Sequence, residues 1–276
     1  MAKAIMIQGT ASGVGKTILT LALCRIFKED GYKVAPFKAQ NMTSNTCFVN
    51  DGEEIAISQW LQAAAAGVAP NASMNPILLK PCDGGTQVIV NGRPFDTINA
   101  YNFKELKAKL VPILMEAYED LAKKYDIIVI EGAGSPVELN LSQDDIVNMG
   151  MAKRAKAQVL LVSNIDRGGI FASLYGTIKL LNEQERPYVK ATIVNKFMGN
   201  VSLFGDGIEI LEKITEVPVA GVVPGFKINL PEEDGLFGDA SEVVKNDYEK
   251  QFSGIAEVVR KSMNMKMIYE ILNKAI

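Results

Sequence analysis

The 276 residues carry 29 basic and 32 acidic side chains, a formal charge of −3, and are 48% hydrophobic and 22% charged. That balance suits a soluble globular chain of one large domain, or one and a half, and excludes the basic footprint of a nucleic-acid binder. The chain has no histidine, which excludes a Ser-His or Cys-His catalytic pair and any histidine-ligated metal.

In chain order, Met1 to Thr10 reads as a strand that runs directly into a glycine loop, not as a secretion signal. Further apolar runs at Val34–Phe37, Ile127–Ile130, Val159–Val162, Ala191–Val194 and Val217–Val222 read as buried strands. Helical patterns lie between them at Lys16–Glu29, Phe103–Lys124, Ile170–Leu181 and Gly207–Thr215. Val- and Ile-rich strands alternating with helices predict an α/β fold, a doubly wound, mostly parallel sheet. Gln87–Val90 followed by Asn91-Gly92 predicts a hairpin at a sheet edge. From Gly225 to Gln251 the pattern weakens. An amphipathic stretch then follows through Phe252, Val259, Ile268 and Leu272, expected as a helix on the core. No window approaches the roughly 18 apolar residues of a membrane helix, so no membrane partner is expected. Three cysteines, Cys24, Cys47 and Cys82, are too few for a disulfide framework and fit a reducing cytoplasm.

The strongest motif runs from Gly9 through Thr10, Gly13, Val14 and Gly15 to Lys16 and Thr17, between the first strand and the first helix. Glycine turns let backbone N–H groups close on a phosphate. Lys16 is expected on the β- and γ-phosphates, and the Thr17 hydroxyl on Mg²⁺. The motif departs from G-x-x-x-x-G-K-[ST]: Thr10 stands where the first glycine belongs, and the glycine is one residue earlier, at Gly9. Thr10 and Ala11 also stand where signature-lysine switch ATPases carry a lysine, which argues against a switch or scaffold protein.

With its Gly9-Thr10 start, the loop resembles that of dethiobiotin synthetase and its relatives. Four further runs resemble the synthetase domain of the cobyric acid synthase family: Ala35–Met42, Met74–Pro81, Glu131–Pro136 and Asp166–Gly169. The resemblance spans about residues 3–236, so the expected organisation is an ATP-binding amidoligase domain over 1–236, then a linker and C-terminal helix over 237–276. It implies a P-loop ligase that uses ATP and Mg²⁺ to phosphorylate carboxylates of a corrinoid, cobyrinic acid a,c-diamide, with ammonia displacing phosphate. Amidation at the corrin a and c positions, or dethiobiotin formation, is the alternative. Relatives of this family usually continue into a glutaminase domain with a cysteine and a histidine. These residues stop before it, so either a separate glutaminase subunit supplies ammonia, free ammonia is used, or the chain is a fragment of a longer protein. Homodimers, which these relatives often form, are the expected assembly.

The remaining roles follow from position. Glu131, at the tip of the Ile127–Ile130 strand, is expected at the metal, with Asp51 as the second metal carboxylate. Lys38 is expected to stabilise charge on the transferring phosphoryl group. Gln40, Asn41, Ser44 and Asn45 suit a substrate rich in carboxylates and amides, although a simple turn also explains them. Asp166 and Arg167 follow a strand end and are expected at the substrate, where Arg167 suits a bidentate carboxylate clamp; a helix cap by Asp166 with a solvated arginine is the alternative. Ser135 and Glu138 are placed in the same substrate-facing loop. Asn195 is expected on adenine, because Met198 stands where a guanine reader would carry an aspartate.

Overall fold

A computed structural model describes residues 2–49, 52–98, 103–141, 145–231 and 247–274. Its centre is a six-stranded parallel sheet of β1 (Lys3–Gly9), β2 (Val34–Phe37), β9 (Ile127–Glu131), β10 (Gln158–Asn164), β11 (Val189–Phe197) and β12 (Val219–Pro224). In space the order is β12-β11-β10-β1-β9-β2. Every predicted strand forms, within two or three residues at either end.

The strands read as continuous apolar runs because the sheet is covered on both faces. Successive side chains alternate between two cores. Ala4 and Met6, Ile128 and Ile130, and Val159 and Leu161 enter one cluster. Ile5 and Ile7, Ile127 and Val129, and Leu160 and Val162 enter the other. The first face is closed by α3 (Phe103–Lys124), α4 (Met149–Ala155), α5 (Ile170–Leu180) and α6 (Gly207–Thr215). The second is closed by α1 (Lys16–Glu29), α2 (Ile57–Ala66), α7 (Glu249–Ser262) and α8 (Met265–Asn273). A Leu or Ile fully buried in either core contributes about 1.5–3 kcal/mol, and both cores hold many of them. This is the doubly wound arrangement expected from the sequence.

Between β2 and α3 the chain leaves the main sheet. There β3 (Gln40–Met42), β6 (Ile77–Cys82), β7 (Gly85–Val90) and β8 (Arg93–Ile98) form a second sheet, and β4 (Thr46–Val49) pairs with β5 (Glu53–Ala56). The predicted hairpin is β7–β8, and the edge it forms belongs to this second sheet. Asn91 at φ 46° and Gly92 at φ 75° are both left-handed, the requirement of a type I′ turn.

The C-terminal amphipathic stretch is two helices, not one. It breaks at Met263 and Asn264, where the Asn264 side chain caps α8 by accepting the Met267 N–H at 3.0 Å. Arg25 of α1 holds α7 through Glu249 at 2.7 Å and Ser253 at 2.9 Å. Among the described residues no helix is long and apolar enough to cross a membrane.

Candidate functional site

In open α/β sheets, ligands gather at the carboxyl ends of the strands beside the point where strand order reverses. Here β1 lies between β9 and β10. The loop after β1, Glu131 at the end of β9, Asn164 at the end of β10 and Asn195, two residues before the end of β11, all meet at that edge.

The shifted glycine of the loop has a steric cause. A Cβ on Gly9 would lie 2.6 Å from Val14 Cγ2 and 3.0 Å from the Ala11 carbonyl. The loop therefore folds back over Gly9, and the next position has room for a side chain. Thr10 uses that room to bond Ser163 at 2.8 Å, tying the loop to β10. Gly15 is constrained twice, with φ at 101° and with a Cβ that would fall 2.1 Å from Asn195 Nδ2. Lys16 is buried, and its ammonium spans the loop to the Ala11 carbonyl at 3.0 Å and the Gly134 carbonyl at 3.1 Å.

Glu131 is 1% exposed, and its carboxylate is fully engaged. Oε1 accepts from Thr17 Oγ1 at 2.9 Å and from Lys38 Nζ at 3.0 Å; Oε2 accepts from Gln62 Nε2 at 2.6 Å. Two buried charges are tolerable only when paired and hydrogen-bonded in this way. Cys24 lies behind them, its thiol pushed up from its ordinary pKa by burial and then by the Glu131 charge.

Lys16, Thr17, Lys38 and Glu131 line a cavity of about 430 Å³ with Ser12, Gly13, Asn41, Gly134 and Lys196; Gln62 lies behind its wall. A second cavity of about 370 Å³ adjoins it, lined by Gly15, Asp166, Asn195, Met198 and Phe226. A phosphate chain fits the first, where the glycine turns, Lys16 and Lys38 converge. A cation fits the edge shared by Thr17 and Glu131. No group of three or more Cys, Asp or Glu side chains able to hold a metal occurs among the described residues. A cation there would take its other ligands from phosphate and water, as Mg²⁺ commonly does.

The other expected residues divide. Asn41 is buried at the first cavity, donating to Gln59 Oε1 at 2.9 Å and Ser58 Oγ at 3.2 Å. Gln40, partly buried beside it, has its Oε1 buried without a partner. Ser135 is buried in the loop after β9. Asn195 gives Nδ2 to the Val14 carbonyl at 2.8 Å and so supports the loop from the second cavity. Asp166 lines that same cavity and accepts from Asn164. Ser44, Glu138 and Arg167 are exposed, and Asn45 is partly buried, its carbonyl accepting from the Ile57 N–H. Asp51 lies outside the described residues. Its neighbour Glu54 is buried against Lys80 at 2.6 Å and Thr46, away from the first cavity's lining.

Three contributors escaped the sequence reading. Gln62 reaches Glu131 from α2. Asn148 clamps the loop after β9, accepting from the Ala133 N–H at 3.1 Å and donating to the carbonyls of Ala133 at 2.6 Å and Ser135 at 3.2 Å. Lys196, in left-handed backbone at φ 58°, donates to the Gly13 carbonyl at 2.9 Å. Lys196 alone had a local signal, because it follows Asn195.

Residues 5–234 match the family described as the CobQ/CobB/MinD/ParA nucleotide binding domain. Cobyric acid synthase of Lachnoclostridium phytofermentans is 54% identical over 241 residues, covering 86% of this chain and 47% of that protein. Cobyric acid synthase of Ruminiclostridium cellulolyticum is 53% identical over 86% of this chain and 46% of its own length. That of Citrobacter koseri is 48% identical over 90% of this chain and 49% of its own length. The chain thus spans about half the length of these curated relatives. By fold, by loop and by a match across most of its length, it belongs to the CobQ/CobB/MinD/ParA nucleotide binding domain family.

Proposed function

We propose that this chain performs the ATP- and Mg²⁺-dependent activating half of a corrinoid amidation, the conversion of cobyrinic acid a,c-diamide towards cobyric acid. One observation carries the reading: Glu131 Oε1 receives Thr17 and Lys38 together, at 2.9 Å and 3.0 Å, at the mouth of the phosphate loop. That arrangement suits phosphoryl transfer, which needs positioning and charge neutralisation more than a protein nucleophile. The similarity to cobyric acid synthases supports the substrate class.

In this reading the backbone of Gly13–Gly15 and the Lys16 ammonium hold the β- and γ-phosphates. Thr17 and Glu131 hold Mg²⁺, which supplies charge neutralisation between the phosphates when bound. Lys38 leaves Glu131 for the transferring phosphoryl group. A substrate carboxylate oxygen attacks the γ-phosphorus, the bond to the β,γ-bridging oxygen breaks, and ADP leaves. Ammonia then attacks the acyl carbon of the acyl phosphate, loses a proton, and inorganic phosphate departs with the C–O bond electrons. Gln40, Asn41, Ser44, Asn45, Ser135, Glu138 and Arg167 orient the corrinoid side chain, and Asp51 is a second carboxylate for the metal. Asn195 and Asp166 face the nucleoside, with adenine preferred because Met198 cannot pair with guanine. Residues 1–236 form the amidoligase unit, with 237–276 as its C-terminal extension. No histidine stands in the 276 residues to support a Cys-His glutaminase, so the ammonia comes from solution or from a glutaminase that lies outside them.

The test is ATP hydrolysis at saturating ammonia, with and without cobyrinic acid a,c-diamide. Stimulation by the corrinoid with formation of amidated product is expected. A folded, ATP-binding protein that shows no stimulation overturns the substrate assignment.

A further inference from the structure

Gln62 belongs to no part of the phosphate-loop motif, yet it is fully buried on α2 and bonded to two parts of the site. Its Nε2 donates to Glu131 Oε2 at 2.6 Å and to the Thr17 carbonyl at 3.3 Å. The charge of its partner fixes the orientation of the amide, because the flipped form would set a carbonyl oxygen against a carboxylate. A single side chain thus ties the end of β9 to the first turn of α1. Glu131 Oε1 is already taken by Thr17 and Lys38, so Gln62 holds the carboxylate from its other oxygen.

A second observation concerns the other end of the amide. Gln62 Oε1 is buried and has no hydrogen-bond partner. A buried acceptor left unpaired is destabilising and uncommon, and it normally marks a place for water, an ion or a ligand. A glutamine kept only to pack α2 would gain nothing from its carbonyl, and an apolar side chain of similar length would fill the space without that penalty. A cation between Thr17 and Glu131 keeps water among its ligands, and such water offers the hydrogen that Oε1 lacks.

We propose that Gln62 is the positioning residue of the cation site: its Nε2 sets the plane of the Glu131 carboxylate, and its Oε1 accepts a hydrogen bond from a water bound to the cation. The proposal rests on the reading that Thr17 and Glu131 hold Mg²⁺. Groups that orient a metal ligand from behind typically account for a 10–100-fold difference in metal affinity.

The experiment measures binding of a fluorescent ADP analogue to the full chain in EDTA and across a Mg²⁺ titration, for the wild type, Gln62→Met and Gln62→Glu, with thermal melts alongside. In Gln62→Met, affinity in EDTA should equal the wild type's, while the Mg²⁺ needed for half-maximal tightening rises roughly tenfold. An unchanged Mg²⁺ curve in a Gln62→Met protein that melts cooperatively overturns the proposal alone. Should Gln62→Met fail to fold, Gln62→Glu decides. Its second carboxylate beside Glu131 should make the rise in Tm on adding Mg-ADP larger than the wild type's, and an equal or smaller rise overturns the proposal. A wild type whose nucleotide affinity ignores Mg²⁺ overturns the metal reading, and the proposal with it.

Discussion

The carboxyl edge of the main sheet and the four-stranded sheet beside it use their interiors in opposite ways. At the main-sheet edge, Lys16, Lys38 and Glu131 are buried among Asn41, Gln62 and the loop carbonyls. In the second sheet the corresponding interior is the apolar cluster of Ala56, Leu78 and Ile89, while β8 exposes Arg93 through Thr97 to solvent. Buried ion pairs rarely add net stability, so a fold that spends its interior on them is shaped for what it binds. The small sheet holds its shape by ladder bonds and apolar contact, with an ion pair, Lys80 to Glu54 at 2.6 Å, joining β6 to β5. Perturbing the first region should therefore remove binding, and perturbing the second should remove only stability.

The largest effect should come from Glu131→Ala. It breaks the buried Lys38–Glu131 ion pair by removing one partner, which costs about 3–5 kcal/mol of stability, and removes Mg²⁺-dependent nucleotide binding. Chemical denaturation and a nucleotide titration check both. The pair Lys38→Met with Glu131→Gln should regain much of the stability and none of the turnover, which separates the charge pair's structural cost from its chemical use.

Next in size is a contrast between two left-handed glycines. Gly15→Ala places a methyl 2.1 Å from Asn195 Nδ2 at φ 101° and should abolish nucleotide binding. Gly84→Ala, at φ 88° in the turn between β6 and β7, meets nothing within 4 Å and should cost only the backbone strain, about 1–2 kcal/mol. Equal loss of nucleotide affinity in the two would show that the phosphate loop and the outer turn respond alike. Ile89→Ala should lower stability by about 2–5 kcal/mol through its cavity and leave the nucleotide Kd unchanged. Phe95→Ser on β8 should change stability by less than about 0.5 kcal/mol.

The thiols give a smaller, chemical contrast. Burial, with the Glu54 charge second, pushes the Cys47 thiol up to about 12, and Cys24 is raised as well. Cys82 is exposed. Alkylation near pH 8 should label Cys82 in the native protein, with Cys24 and Cys47 reacting only after denaturation, as peptide mass spectrometry would read directly.

The same difference in burial decided what was legible in advance. Strands such as Ile127–Glu131 feed two cores at once, so their run of apolar residues needs no partner to be recognised. The phosphate loop was legible because its chemistry lies in nine consecutive residues, Gly9–Thr17. The helix Ile57–Ala66 was not, because buried Gln59 and Gln62 interrupt the apolar stripe that marks a core helix. The very residues that tie it to the site hid it. Asn148 carried no signal either, since only the fold brings it onto the Ala133 backbone. The three-residue strand Gln40–Met42 and the Thr46–Ala56 hairpin are too short for a period to establish itself. Trp60 and Leu61, by contrast, gave the helix apolar mass without the spacing that names a fold.

Whether Glu131 holds the metal is decided by titrating ATP calorimetrically into the wild type and Glu131→Gln, each with and without Mg²⁺. Wild-type binding should tighten with the metal, and Glu131→Gln should bind alike in both conditions. Metal-dependent tightening that survives intact in Glu131→Gln, or a folded wild type that takes up no nucleotide at all, would contradict that assignment.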